Sequence, residues 1–103
     1  MSDKFGYQSD TDNREEVEEF EPEEYRVILL NDDYTTMEFV IAVLEKIFRK
    51  TTIESQRIMM SVHQNGSGVC GVYVKEIAET KVAQTLDLAK KNGFPLRVTM
   101  EKI

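Results

Sequence analysis

The side chains best suited to covalent chemistry are His63, the only histidine, and Cys70, the only cysteine. A thiol activated by an imidazole could attack a carbonyl carbon, so a small thiol hydrolase built on this pair is one hypothesis. Cys70, however, lies between Val69 and Gly71 in an apolar run, where a cysteine is more often inert packing than a nucleophile. The signal for an enzyme at these two residues is therefore weak.

A second group of polar residues forms the turn Asn31-Asp32-Asp33, which follows an apolar run and precedes Met37. Alone, such a turn is an ordinary Asx turn. Here its acceptor oxygens lie beside apolar residues at the start of a predicted helix, which suits a ligand that is cationic at one point and apolar next to it. A metal site made of Asp32, Asp33 and His63 matches no ligand spacing, and no glycine loop precedes a helix to hold phosphate. We expect no metal and no cofactor.

Charge separates the chain into two parts. Residues 1–24 carry ten acidic and two basic side chains, a net charge of -8, whereas residues 25–103 carry nine acidic and eleven basic ones, a net charge of +2. The first part has few large apolar groups and is predicted to be a disordered acidic extension. The second is predicted to be one folded domain.

No stretch is basic enough for a nucleic-acid partner, and no apolar run is long enough to cross a membrane. With one cysteine and no apolar leader at the start, a cytoplasmic location is expected.

Hydrophobic periodicity divides residues 25–103 into six elements. Runs at 25–30 and 69–74, and the alternating Leu96, Val98 and Met100, predict three strands. Thr35 with Glu38, and Thr51 with Glu54, have capping-box spacing and predict the starts of two helices. A third helix is predicted from Glu76 to Asn92, with Gly93 at C′. Apolar residues recur with helical periodicity in the first helix at Met37, Val40, Ile41, Leu44, Ile47 and Phe48, and the second helix carries Ile53, Ile58, Met59 and Val62. In the third helix, Ile77, Ala78, Val82, Leu86 and Ala89 are predicted to face inward.

The predicted fold class is α+β, a compact two-layer domain with the order β-α-α-β-α-β and three helices on a three-stranded antiparallel sheet. Within it, three motifs resemble the ClpS adaptors of the bacterial N-degron pathway: NDDYTTMEFV at 31–40, VH before a glycine turn at 62–63, and CGVYVKEIAETK at 70–81. The resemblance covers 25–103, with GFPLRVTMEKI as its ending.

The resemblance implies a protease adaptor, not an enzyme. Such proteins bind the free α-amino group and the large hydrophobic first side chain (Leu, Phe, Tyr or Trp) of N-degron substrates. They deliver them to the N-terminal domain of a Clp AAA+ unfoldase, of ClpA type or ClpC type, for degradation by ClpP. The extension at 1–24 would engage the unfoldase during delivery.

By position, the resemblance also implies site residues. The residues implied to bind the α-amino group are Asn31, Asp33 and His63. Those implied to dock on the unfoldase are Glu76 and Lys81. The residues implied for the hydrophobic pocket are Leu30, Thr35, Met37, Val40, Met59, Val62 and Leu96. One position departs from the family pattern, because Thr36 stands where proline is usual; this removes no contacting group. Besides the thiol hydrolase, a generic interaction module is the remaining alternative.

Overall fold

The computed structural model describes residues 21–103. Its elements are β1 (Glu24–Leu30), α1 (Met37–Lys46), α2 (Thr52–Asn65), β2 (Ser67–Val74), α3 (Lys75–Lys91) and β3 (Arg97–Lys102). The predicted α+β fold and its element order are confirmed. Positions 1–20 of the predicted acidic extension lie outside the described residues. The first strand includes Glu24, so it begins one residue before the predicted domain boundary.

The sheet has the strand order β2-β1-β3, and both pairings are antiparallel. In the central strand, Val27 lies opposite Gly71 on one side and Met100 on the other. The next pair on the β2 side is Ile28 with Val69, so Cys70 is the extra residue of a bulge. The bulge lies opposite Val27 and Ile28, in the middle of β1.

One hydrophobic core lies between the sheet and the helices. Alternate residues of β1, Val27 and Leu29, are fully buried, as the period of two in a strand requires. They belong to one cluster with Val43 and Leu44 of α1 and with side chains of α2, α3 and β3. This is the predicted two-layer arrangement, with a single core that fixes the ends of the elements around the polar turn.

Threonine caps begin the first two helices, and one of them differs from the prediction. Thr51 accepts a 3.1 Å hydrogen bond from the N–H of Glu54, as predicted. In α1 the cap is Thr36, which accepts from the N–H of Phe39 at 3.1 Å, and not Thr35. The hydroxyl of Thr35 instead donates to Asp32 within the polar turn, so Thr35 does not cap the helix.

The inward orientation predicted for α3 was wrong at two positions, since Ile77 is 48% exposed and Leu86 is 44% exposed. In α2, the apolar residue Ile53 is 80% exposed. Successive helix residues are about 100° apart, so Ile77 and Leu86 flank a buried stripe of small residues at Ala78, Thr85 and Ala89. Small residues let α3 approach the sheet closely, and the larger neighbours remain at the margins. Ile53 is five residues before the buried Ile58, about 140° around α2.

Glycines permit two features at the end of α2. Gly66 caps the helix in the left-handed region, with φ of 91°, and its N–H donates to the carbonyl of Val62 at 3.0 Å. Two residues later, a Cβ added to Gly68 would lie 2.9 Å from Cγ2 of Val62 and 3.0 Å from the carbonyl oxygen of Ile58. The absence of a side chain at Gly68 therefore lets β2 lie directly against α2. The last helix ends as predicted, with Gly93 at φ of 76° after Asn92.

Candidate functional site

The polar turn is organised by the carboxylate of Asp32. Its Oδ1 accepts hydrogen bonds from the N–H groups of Tyr34 at 2.8 Å and Thr35 at 2.7 Å. Its Oδ2 accepts from the hydroxyl of Thr35 at 2.7 Å. Burial acts to raise the pKa of Asp32, but these hydrogen bonds favour the charged form more strongly, and the pKa is lowered. Asp32 is therefore an ionised residue that accepts three hydrogen bonds within its own turn.

Two further hydrogen bonds attach the start of this turn to the rest of the domain. The N–H of Asn31 donates to the carbonyl of Gly66 at 3.0 Å, which links the end of β1 to the end of α2. Nη2 of Arg97, the first residue of β3, donates to the carbonyl of Asn31 at 2.8 Å. The backbone of Asn31 is thus held from both sides. Because Gly66 also caps α2, the same contact sets the distance between the turn and His63 in the last turn of that helix.

A cavity of about 440 Å³ lies between this turn, the start of α1 and the second half of α2. Its polar wall includes the three residues predicted to bind an α-amino group, Asn31, Asp33 and His63. Its apolar wall includes Met37, Val40, Met59 and Val62, and Thr35 lies between the two walls. Of these side chains, Val40, Met59 and Val62 are buried, whereas Asp33 and His63 are exposed. Acceptor groups and an apolar floor therefore share one opening.

Two residues predicted for the pocket are not among those that line it. Leu96 is buried in the hydrophobic core, and Leu30 is half-buried at the end of β1, where it pairs with Ser67 and Arg97. Three lining residues were not predicted: Asp32, Tyr34 and Thr36. An Asx residue followed by threonine three positions later is the signal that could have identified Asp32 as the organiser of the turn.

Comparison with known proteins identifies the family that shares this arrangement. The family described as ATP-dependent Clp protease adaptor protein ClpS matches residues 20–99. The chain belongs to the ClpS family. The described function of its members is that of an adaptor of the Clp protease, which is not a catalytic one.

Individual relatives agree with this assignment. An adapter protein ClpS of Maricaulis maris is 62% identical over 81 residues, covering 79% of this chain and 74% of the relative. One from Oleidesulfovibrio alaskensis is 53% identical over 104 aligned positions and covers 100% of both chains. A solved structure, Agrobacterium tumefaciens ClpS2 bound to L-phenylalaninamide, matches with a TM-score of 0.77 and 48% identity, covering 80% of this chain and 99% of that one.

The environment of Cys70 in this ClpS chain differs from that of a nucleophile. The side chain is fully buried at the β2 bulge, and the residues lining the cavity do not include it. Burial raises the pKa of the thiol to about 12, so the reactive thiolate is strongly disfavoured near neutral pH. Cys70 is placed to pack in the interior, whereas His63 is exposed and lines the cavity.

The residues predicted for unfoldase docking lie on α3. Glu76 is exposed in the first turn of the helix. Lys81 is half-buried, and its Nζ donates to the carbonyl of Ile47 at 2.6 Å while lying 5.7 Å from the centre of the Tyr73 ring. The ammonium of Lys81 therefore binds the C-terminal end of α1.

Among the residues that the structure describes, no group of three side chains could hold a metal ion. Over the same residues, no helix has the length and hydropathy of a membrane span.

Proposed function

We propose that this ClpS chain is an adaptor that binds the free α-amino group and large hydrophobic first side chain of N-degron substrates. It delivers these substrates to a Clp AAA+ unfoldase. The first residues recognised are Leu, Phe, Tyr and Trp. The observation that carries the proposal is the single cavity in which Asn31, Asp33 and His63 face the same space as Met37, Val40 and Met59.

The polar wall fits a terminal ammonium. An α-amino group has a reference pKa of about 7.7–8.0, so it is mainly charged at neutral pH and offers three donors. The side chains of Asn31 and Asp33 supply acceptor oxygens, and a neutral His63 supplies one nitrogen lone pair. Hydrogen bonds that involve a charged group contribute roughly 1.5–3 kcal/mol each. Three acceptors around one cavity therefore match the three donors of an amino terminus.

The apolar wall fits the first side chain. Burying a large apolar side chain contributes roughly 1.5–3 kcal/mol. Together with the ammonium, and after the costs of association, this gives binding on the order of -8 kcal/mol, which is micromolar. An internal Phe lacks the ammonium and an N-terminal Ser lacks the apolar group, so selectivity requires both parts.

The ligand of the similar Agrobacterium protein supports this assignment. L-phenylalaninamide, to which that protein is bound, carries a free α-amino group and a benzyl side chain. Its carboxamide has the chemistry of the first peptide bond of a longer chain. The residue types of the cavity in this chain are those that such a ligand would require: oxygen and nitrogen acceptors at one end and flexible apolar side chains at the other.

The proposed partner is the N-terminal domain of a ClpA-type or ClpC-type unfoldase, which would bind through Glu76 and Lys81. The acidic extension before the domain would engage the same machine during transfer of the substrate. Such an adaptor works in the cytoplasm, where a lone thiol such as Cys70 stays reduced.

Peptide binding tests the first half of the proposal. A peptide beginning with Phe is titrated with its amino terminus free and acetylated, against the unaltered protein, His63→Ala and Gln64→Ala. Gln64 is the matched control because it follows His63 on α2 and is exposed but does not line the cavity. We expect acetylation and His63→Ala each to weaken binding by at least 10-fold, on the basis of roughly 1.5–3 kcal/mol per charged hydrogen bond. Equal affinity of the free and acetylated peptides would contradict amine recognition.

A further inference from the structure

A second cavity shares the lining residue Tyr34 with the cavity of about 440 Å³ described above, which we call the amine pocket. It has a volume of about 560 Å³ and is lined by Tyr34, Lys90, Gly93, Phe94 and Pro95. Tyr34 also lines the amine pocket, and its side chain is 77% exposed. One aromatic ring therefore separates two neighbouring depressions. The second one, which we call the Phe94 groove, has no role in the amine recognition described above.

Hydrogen bonds and ring packing hold the two sides of the Phe94 groove. The N–H of Tyr34 donates to Oδ1 of Asp32 at 2.8 Å, which holds the backbone of Tyr34. The ring centroid of Phe94 lies 4.7 Å from that of Phe39 in α1, and the N–H of Phe94 donates to the carbonyl of Ala89 at 2.9 Å. The Phe94 side of this open groove is therefore in place before a ligand binds, which lowers the free-energy cost of ordering that side.

Peptide geometry connects the two cavities. In an extended chain successive side chains point to opposite sides, so the first and third side chains share one side and are about 6.6 Å apart along the chain. If the first side chain occupies the amine pocket, the second points to solvent and the third returns to the protein surface. The neighbouring depression on that surface is the Phe94 groove, since Tyr34 borders both.

We propose that the Phe94 groove is a subsite for the third residue of the substrate, and that it prefers a large apolar side chain there. This inference rests on the proposed function, because it requires the first residue to be held in the amine pocket. The rings of Tyr34, Phe94 and Pro95 supply the apolar contact surface. Lys90 contributes its aliphatic stem, and within residues 21–103 its ammonium forms no ion pair, unlike that of Lys91, which binds Asp87 at 3.1 Å.

Two isomeric peptides test the position of the subsite. One begins Phe-Leu-Ala and the other Phe-Ala-Leu, with the same residues following, so that total hydrophobicity and charge are identical. We expect the peptide with Leu in third place to bind roughly 3- to 10-fold more tightly, which corresponds to partial burial of one Leu side chain. Equal affinity of the two isomers would overturn the proposal.

A charge exchange tests the location. A peptide beginning Phe-Ala-Lys places a cation near Lys90 in the proposed arrangement. We expect Lys90→Glu to bind this peptide roughly 2- to 5-fold more tightly than the unaltered protein, the range for exposed ion pairs. Lys91→Glu is the matched control, because it makes the same charge change one residue away but does not line the groove. An equal gain in affinity for this peptide with Lys90→Glu and with Lys91→Glu would also overturn the proposed subsite.

Acetylated peptides separate this inference from the function on which it rests. If acetylation of Phe-Ala-Leu abolishes binding while the two free isomers bind equally, the subsite fails and amine recognition stands. If acetylation changes nothing, amine recognition itself fails. Loss of binding on acetylation, together with tighter binding of the free Phe-Ala-Leu isomer, supports both.

Discussion

The hydroxyl of Thr35 donates a 2.7 Å hydrogen bond to Oδ2 of Asp32, while Oδ1 of the same carboxylate accepts the N–H groups of Tyr34 and Thr35. Asp32 thus accepts three hydrogen bonds from donors of its own turn. Its neighbours Asn31 and Asp33 are presented to the cavity because Asp32 fixes the backbone between them. The turn is a preformed binding element whose shape depends on one ionised side chain.

This arrangement predicts a pH-dependent contribution to stability. The folded-state pKa of Asp32 is lowered from 3.8, so its stabilising effect is complete at pH values above the unfolded-state pKa and is lost as pH falls through the lowered folded-state value. We expect the unaltered protein to be more stable than Asp32→Asn at pH 6, and the difference to shrink below pH about 3.8. Urea unfolding of both proteins at several pH values measures it. A difference that stays constant down to pH 2 would contradict the assignment.

A second prediction concerns Met37, the first residue of α1, which lines the amine pocket and is 45% exposed. Its unbranched side chain can close over an aromatic ring or Leu but crowds a first residue branched at Cβ. We expect Met37→Ala to gain binding of peptides beginning with Ile or Val. Met60→Ala is the control, since Met60 is a partly exposed methionine of α2 outside the lining. No gain with Met37→Ala would make Met37 a packing residue.

A third prediction concerns Cys70, whose pKa is raised to about 12 by burial. The protonated thiol therefore stabilises the fold below the unfolded-state value of 9.0, and this contribution is lost as pH rises toward 12. We expect native Cys70 to react with iodoacetamide at pH 8 far more slowly than the urea-unfolded chain, and Cys70→Ser to keep its peptide affinity. Fast native alkylation, or loss of binding in the serine variant, would restore the thiol hypothesis.

Much of the fold followed from local patterns in the sequence, because each element has a strong one. Local signals in the sequence include the β1 run, the Thr51 cap and the Gly66 turn. The structure has a strand, a helix start and a helix end at these places. The cap of α1 was misplaced because Thr35 and Thr36 are both suitable, and only the hydrogen bonds to Asp32 decide between them. Periodicity likewise could not show that small residues bring α3 so close to the sheet that Ile77 remains at the margin.

The cavity depends on long-range contacts that no local pattern contains. The bond from Asn31 to Gly66 joins residues 35 positions apart, and the one from Arg97 to Asn31 joins residues 66 positions apart. The first brings His63 to the polar turn. The resemblance to ClpS suggested which residues meet, whereas the burial of Leu96 in the core and the position of Tyr34 between two cavities required the coordinates.

A fourth prediction concerns Thr36, at the position where the resemblance to ClpS led us to expect proline. Its hydroxyl caps α1, and its φ of -75° is close to the value that proline imposes. Thr36→Ala should lower the free energy of unfolding by about 1 kcal/mol through loss of the cap. Thr36→Pro also loses the cap but restricts the unfolded chain, which returns about 0.4–1 kcal/mol, so its stability should be close to that of the unaltered protein. Thr51→Ala, at the equivalent cap of α2, should match Thr36→Ala in chemical denaturation. A Thr36→Pro variant less stable than Thr36→Ala would contradict this account.

The last prediction separates the two residues proposed to dock on the unfoldase. Glu76 is exposed and joins no ion pair within residues 21–103, so Glu76→Lys should leave stability within about 0.5 kcal/mol, and peptide affinity should be unchanged. Binding to the N-terminal domain of the unfoldase should weaken, because the charge of the docking surface is reversed. Asp87→Lys is the control, since it makes the same change on α3 about 16 Å further along the helix.

Lys81→Ala should behave differently from Glu76→Lys because Lys81 also bonds the carbonyl of Ile47 at 2.6 Å. Removing it leaves that carbonyl without its ammonium partner, so we expect a loss of about 1–2 kcal/mol in the free energy of unfolding. Titration of the unfoldase domain, read together with urea unfolding of each variant, distinguishes the two cases. If Glu76→Lys and Asp87→Lys bind the unfoldase domain equally, the start of α3 is an ordinary solvated surface. If Lys81→Ala is as stable as the unaltered protein, its bond to Ile47 contributes nothing, and any loss of unfoldase binding in that variant then reports docking alone.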